Sequence, residues 1–357
     1  MRIGIPREIK AREGRVALVP AACAELVRAG HEVRVQSGAG LASGYADAAY
    51  AAVGAHIVAD APTLYAESTL IVKVKEPVAD DLPHLRADHR LFCFLHLAAE
   101  RELAVRLRDI GLTALAFETL RDGGGLPLLA PMSEIAGKLS VQVGTHLLHQ
   151  PMGGRGLLLG GLAGAERGHV VVIGAGVAGG AAAGVAAALG ARVTVFDLLR
   201  ERLSAMRALA PSVSGLHPYV DAMAEAVADA DLLIGAVLVP GRHAPRLVTR
   251  ETVRGMRPGS VIADISVDQG GCIETTRPTS YDAPTYVDEG VQHFCVTNMP
   301  GGVPRSSTQA LSAALLPYVL RLAGPEWERD AALMEAVNLC AGRYVHPAIR
   351  AEFEGGA

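Results

Sequence analysis

The sequence predicts an α/β protein of two domains, each built on a mainly parallel sheet, and three observations carry that expectation. The chain has 357 residues, half of them hydrophobic, and at roughly 150 residues per domain it divides into about two. Short apolar runs alternate with helical segments along its whole length, which is the pattern of βα repetition. One of these runs, beginning at Val170, leads through a glycine-rich turn into a helix of small residues.

In order along the chain, residues 2–5 alternate and read as a strand. Residues 20–29 read as a helix with Pro20 in the first turn and Gly30 as its C-cap. Residues 31–36 form a strand by period two, and 47–54 a short helix. Strands follow at 70–74, 90–97 and 113–117, running into Lys75, His96 and Glu118, with helices between them. Residues 133–150 read as a long helix with Ser133 as N-cap, and glycine-rich linker sequence then runs to Gly168. A second series places strands at 170–173, 192–197, 232–236, 261–264 and 294–296. Residues 306–322 are helical, and the tail reads as helix with turns.

Composition narrows the function. Lys and Arg total 33 against 37 Asp and Glu, a net charge of −4, which argues against a general nucleic-acid or anionic-membrane binder. Cysteines stand at 23, 93, 272, 295 and 340 without any CxxC pair, so a reduced, cytoplasmic chain is the simplest reading. The amino terminus has no apolar core of a signal peptide. The 22 residues 170–191 carry no charge and could span a bilayer by length. Their six glycines read better as a buried strand, a turn and a small-residue helix.

That segment carries the first chemistry. Gly174-Ala-Gly176-Val-Ala-Gly179 is a G-x-G-x-x-G between a strand and a helix. Gly174 permits the tight turn, Gly176 lets backbone approach a pyrophosphate at the helix N-terminus, and Gly179 allows close helix–strand packing. Asp197 ends the next strand 23 residues after Gly174, where a carboxylate accepts from a ribose hydroxyl and repels a 2′-phosphate, so NAD is favoured over NADP. The expectation is a Rossmann-type, doubly wound NAD domain. Asp264 and Asp268 lie at or just past a strand end; on spacing alone Asp268 is either a turn former or an active-site acid. The first half lacks such a motif and reads as a second α/β domain for substrate. Arg15 and Lys75 are a cation pair able to clamp a carboxylate, and His96 can give and take protons near neutrality. Spacing alone does not separate these roles from surface solvation or a structural histidine. No hydrolase G-x-S-x-G, Walker A or metal-ligand spacing is present, and no metal is expected.

Together, Met1-Arg-Ile-Gly-Ile-Pro-Arg-Glu8, Arg15-Val-Ala-Leu-Val-Pro20, Val72-Lys-Val-Lys75-Glu-Pro77, Phe94-Leu-His96-Leu-Ala, Leu129-Ala-Pro-Met-Ser133-Glu, Ile234-Gly-Ala-Val-Leu-Val-Pro-Gly241, Asp264-Ile-Ser-Val-Asp268-Gln-Gly-Gly-Cys272 and Asn298-Met-Pro-Gly resemble the alanine dehydrogenase family. The likeness runs through nearly the whole chain; the NAD-binding part of proton-translocating transhydrogenases shares several of the motifs. The resemblance implies reversible NAD-dependent deamination of L-alanine to pyruvate and ammonia, with a transhydrogenase-like component acting with a membrane partner as the alternative. It implies Arg15 and Lys75 on the substrate, His96 and Asp268 as the acid–base pair, and Asn298 and Met299 lining the pocket. Ser133, Asp197, Arg202, Leu238 and Val296 would contact or lie near NAD beside Gly174, Gly176 and Gly179. It also implies a substrate domain at 1–128 plus 302–357, an NAD domain at 129–301, a cleft between them, and a homo-hexamer. One departure is Val220, which follows Tyr219 where the family commonly has a hydroxyl residue and so removes one cofactor hydrogen bond.

Overall fold

A computed structural model describes residues 1–238 and 244–354. The motif residues Val239, Pro240 and Gly241 lie outside the described residues. The chain divides into two compact units, Met1–Met132 with Val303–Ala357, and Ser133–Gly302.

The first unit holds strands β1 (Arg2–Ile5), β2 (Glu32–Gln36), β3 (His56–Val58), β4 (Leu70–Val72), β5 (Arg90–Cys93) and β6 (Thr113–Ala116). The second holds β7 (His169–Ile173), β8 (Arg192–Phe196), β9 (Val213–Leu216), β10 (Leu232–Gly235), β11 (Val261–Asp264), β12 (Thr285–Asp288) and β13 (Val291–Phe294). The chain then returns to the first unit as β14 (Val337–Cys340) and β15 (Arg343–Tyr344).

The sheet of the first unit runs β15-β14-β6-β5-β4-β1-β2-β3, with β6 through β3 parallel. That of the second runs β12-β13-β11-β10-β7-β8-β9, parallel except for β12. Each is therefore doubly wound, with strand order reversing between β1 and β4 in one and between β7 and β10 in the other. Ligands of such sheets gather outside the carboxyl ends of the strands at that reversal.

Burial on both faces explains the continuous apolar runs. In β7, Val170 and Val172 face one core, while Val171 and Ile173 face another beyond the opposite side of the sheet. Helix Val177–Ala188 packs Ala182, Ala183 and Ala186 into the first of these cores. The uncharged stretch at 170–191 is thus strand, turn and helix. Among the described residues no helix is long and apolar enough to cross a membrane.

Several boundaries differ from the sequence reading. The helix expected at 133–150 spans Ala130–Leu147. The Ala130 amide already donates to the Leu126 carbonyl, so the first turn closes early and Ser133 lies inside the helix rather than capping it. β4 and β5 stop at Val72 and Cys93, leaving Lys75 and His96 in the turns beyond. The last strand of the second series is Val291–Phe294, so Val296 lies past its end. β3, β9 and β12 are additions, and the tail holds the antiparallel pair β14–β15, which extends the first sheet through β6.

His293 and His89 are among the histidines locked inside. His293 in β13 is fully buried, with Nε2 2.7 Å from Thr275 Oγ1 and Nδ1 3.0 Å from the Val291 carbonyl oxygen. His89 accepts from the Arg86 amide at Nδ1 and lies 3.0 Å from the Tyr65 carbonyl oxygen at Nε2. Burial holds both below the ordinary value of 6.5, with the Arg86 guanidinium adding to the effect at His89. Unfolded histidine binds a proton at higher pH than these do, so their contribution is complete above about pH 6.5 and is lost as pH falls below it. The slope is at most about 1.4 kcal/mol per pH unit per residue. Urea unfolding between pH 7.5 and 5 checks this: His293→Gln should show a shallower loss than wild type, and parallel curves would contradict it.

Candidate active site

The motif residues of the second unit surround the carboxyl ends of β7 and β8. Gly174 follows β7 at φ +100, in the left-handed half of conformational space that glycine tolerates. A Cβ on Gly179 would meet the Gly174 carbonyl oxygen at 1.7 Å, so only glycine allows the helix to approach this turn. Gly176 is different: no atom lies within 4 Å of the place where its Cβ would be. It caps helix Val177–Ala188 without a side-chain hydrogen bond, and first-turn amides of a helix are a ready anion site. A closed turn, an open edge above it and helix amides beside it fit the pyrophosphate of a dinucleotide.

Asp197 accepts from the Ala175 amide at 2.7 Å and from the Leu199 amide at 2.8 Å. Its carboxylate is thereby tied to the glycine-rich turn, with the exposed Arg202 guanidinium 3.6 Å away. Leu198, Leu199, Tyr219 and Val220 are all exposed. Leu238, just past β10, is half exposed, whereas Val296 is buried in the core. Ser133 is half-buried in the first turns of its helix.

Asp268 is exposed on a 3-10 turn, Ile265–Gln269, at the end of β11. Asp264 secures that turn. Its buried carboxylate accepts from the Ser266 amide at 2.9 Å, the Cys272 amide at 3.1 Å and the Thr276 hydroxyl at 2.7 Å. Burial pushes the Asp264 carboxyl up, against the pull of these donors. Ser266 Oγ in turn accepts from the Val237 amide. Asn298 has φ +58, and its backbone N–H points to Asp268 Oδ2, 3.5 Å away. Met299 beside it is buried, and its carbonyl accepts from the Tyr281 hydroxyl at 2.6 Å.

In the first unit, Arg15, Lys75 and His96 follow β1, β4 and β5, the strands at and next to the reversal of order. Arg15 is 2% exposed. Its Nε and Nη2 are held by the Glu13 carboxylate, at 2.6 and 2.5 Å, and Nη1 lies 3.2 Å from Met132 Sδ. A two-point grip of the guanidinium is therefore made on Glu13. Lys75 lies 3.6 Å from Glu76, which also pairs with Lys10. Burial raises the Glu76 carboxyl, but the Lys75 and Lys10 ammonium groups outweigh it and hold the group below the usual carboxylate range.

The Lys75 turn is braced from inside. Lys73, two residues earlier, is buried between Glu8 at 3.5 Å and Asp81 at 3.1 Å, and Glu8 also accepts from the Val74 amide. His96 is exposed, at φ +48, with its ring stacked on Phe94 at 5.8 Å. Glu118, after β6, accepts from the Leu95 and His96 amides. Sequence reasoning missed Glu13 and Glu118 as parts of the site. The available signal for Glu118 was that it ends an apolar strand, as His96 does. Among the described residues no His, Cys, Asp and Glu cluster could hold a metal ion.

Comparison with known proteins shows the family. The family models "Alanine dehydrogenase/PNT, N-terminal domain" and "Alanine dehydrogenase/PNT, C-terminal domain" match residues 4–136 and 140–347. An alanine dehydrogenase of Halomonas elongata is 48% identical, covering 97% of this chain and 93% of that protein. One from Mycobacterium tuberculosis is 50% identical over 92% and 89%. A solved L-alanine dehydrogenase superimposes with a TM-score of 0.96 at 49% identity over the whole of both chains. A transhydrogenase from Sinorhizobium meliloti gives 0.86 at 26% identity, covering 98% of this chain and all of that one. On full-length identity and on both halves of the fold, the chain belongs to the alanine dehydrogenase/PNT family.

Proposed function

We propose that this protein is an NAD-dependent alanine dehydrogenase, catalysing the reversible oxidative deamination of L-alanine to pyruvate and ammonia. The observation that carries the reading is that full-length relatives bearing that name are 43–50% identical. The transhydrogenase stands at 26%. The candidate residues support it. Arg15, Lys75 and His96 follow the central strands of one sheet, and Gly174, Asp197 and Asp268 follow central strands of the other.

In this reading Met1–Met132 with Val303–Ala357 supplies the substrate groups, and Ser133–Gly302 binds NAD. The amides of the Gly174–Gly179 turn and helix hold the pyrophosphate, Asp197 takes a ribose hydroxyl, and Ser133, Arg202, Leu238 and Val296 complete the surroundings. When bound, NAD+ supplies the acceptor for the hydride leaving the substrate α-carbon. Arg15 and Lys75 hold the substrate carboxylate and, in reverse, the pyruvate oxygens. The amine must be neutral as hydride leaves, because its lone pair forms the C=N bond of the iminium product. His96 takes a proton from the water that attacks this iminium and returns it to the departing amine. Asp268 orients that water and stabilises the positive charge on the imine nitrogen, while Asn298 and Met299 shape the pocket. The balance is L-alanine, NAD+ and water giving pyruvate, ammonium, NADH and a proton.

The reading also makes the protein a cytoplasmic homo-hexamer. The deciding assay is NADH formation from L-alanine and NAD+ at alkaline pH, with D-alanine, L-serine and NADP+ as controls. Turnover with L-alanine and NAD+ well above the controls is expected. Intact NADH binding without turnover would shift the assignment to a partner-dependent transhydrogenase-like module.

A further inference from the structure

One carboxylate with no place in this chemistry is bound to the backbone that carries His96. Both oxygens of Glu118 lie 3.2 Å from the Leu95 amide nitrogen, and Oε1 lies 2.6 Å from that of His96. Two consecutive N–H groups thus converge on one acceptor. His96 sits at φ +48, a conformation that a residue with a Cβ keeps only where its surroundings impose it. The neighbouring residue supplies the rest of the support. Phe117 packs edge-on against Phe94 at 5.0 Å, and Phe94 stacks on the His96 ring with 7° between their planes. The end of β6 therefore sets both the backbone of the His96 turn and the face on which the imidazole lies.

We infer that Glu118 is the positioning residue of His96, holding the turn in its left-handed conformation by accepting both amides and so directing the imidazole. This rests on His96 being the proton-transfer group proposed above. Because Glu118 binds the amides of this turn, what it must provide is an acceptor of the right reach. Glutamine retains an oxygen at that reach without charge. Aspartate retains the charge but is one methylene shorter. Alanine removes both.

The test uses the full chain in four forms: wild type, E118Q, E118D and E118A. Turnover of L-alanine, KM for L-alanine, NADH affinity by fluorescence titration and amide hydrogen exchange of the peptide containing 94–98 are measured for each. E118A should lose roughly 10- to 100-fold in kcat, the scale of a misplaced catalytic group, with NADH affinity unchanged and faster exchange in that peptide. E118Q should stay close to wild type, above E118D. If E118A does not fold, the order of E118Q and E118D decides. An E118A enzyme with wild-type kcat, or an active E118D beside an impaired E118Q, overturns the inference. A wild type inactive toward L-alanine counts against the proposed reaction, whereas an active wild type with an indifferent Glu118 series counts against this inference alone.

Discussion

Replacing His96 by alanine is expected to lower kcat by about 10²–10⁴-fold, the usual contribution of a positioned general acid–base group, while NADH binding stays intact. The separation follows from where the residues reside. His96 stands in the turn after β5, whereas Gly174, Gly176 and Asp197 belong to the other unit. Little folding energy rides on the imidazole, since His96 is exposed and its ring stacks on the Phe94 face. The Glu118 carboxylate binds the backbone amide, which alanine keeps. The variant should therefore fold, bind NADH in a fluorescence titration and fail in NADH formation. Turnover at the wild-type rate would remove His96 from the mechanism.

The second large effect is at the glycine-rich turn, where two substitutions of one methyl group should behave differently. In Gly179→Ala the new Cβ lies 1.7 Å from the Gly174 carbonyl oxygen and 3.2 Å from Val172 Cγ1. Backbone cannot swing aside as a side chain does, so the turn and helix must separate, at about 1–3 kcal/mol or more, as for overpacked cores. Both thermal stability and NADH affinity should fall. In Gly176→Ala the new Cβ meets no protein atom within 4 Å, and the residue has φ −72, which alanine adopts freely. Stability should hold while NADH affinity falls roughly tenfold or more, a loss of about 1.4 kcal/mol or above, because the methyl group enters the space for the pyrophosphate. Thermal melts and NADH titrations of the two variants check this. An unimpaired NADH affinity in Gly176→Ala would mean that the pyrophosphate does not approach that edge.

The candidate site was legible in the sequence where its geometry is local. The G-x-G-x-x-G turn closes within six residues, and the strand before it and the helix after it are set by its own neighbours. The apolar runs of β4, β7 and β10 were equally legible, because strands buried on both faces need uninterrupted apolar residues. Ser133 shows the opposite case. Its residue type suits an N-cap, but the turn from Leu126 to Ala130 had already begun the helix.

Local sequence pattern specified the two-part α/β plan and the strand, glycine-rich turn and helix around Gly174. Tertiary structure alone decided how the candidate residues are held. β14 returns from 337 to pair with β6 at 115, so the first sheet is completed by the far end of the chain. β12 joins the second sheet antiparallel, and β3 and β9 are short edge strands stabilised by the neighbours they pair with. The grip of Glu13 on Arg15, the anchoring of the Asp268 turn by Asp264 and the hold of Glu118 on the His96 backbone all depend on which groups share a dry, crowded strand end. Hydrophobic period is a property of neighbouring residues and can be read along the chain. The partner of a charged group is set by folding in space, where low dielectric makes an unpaired charge too costly to leave.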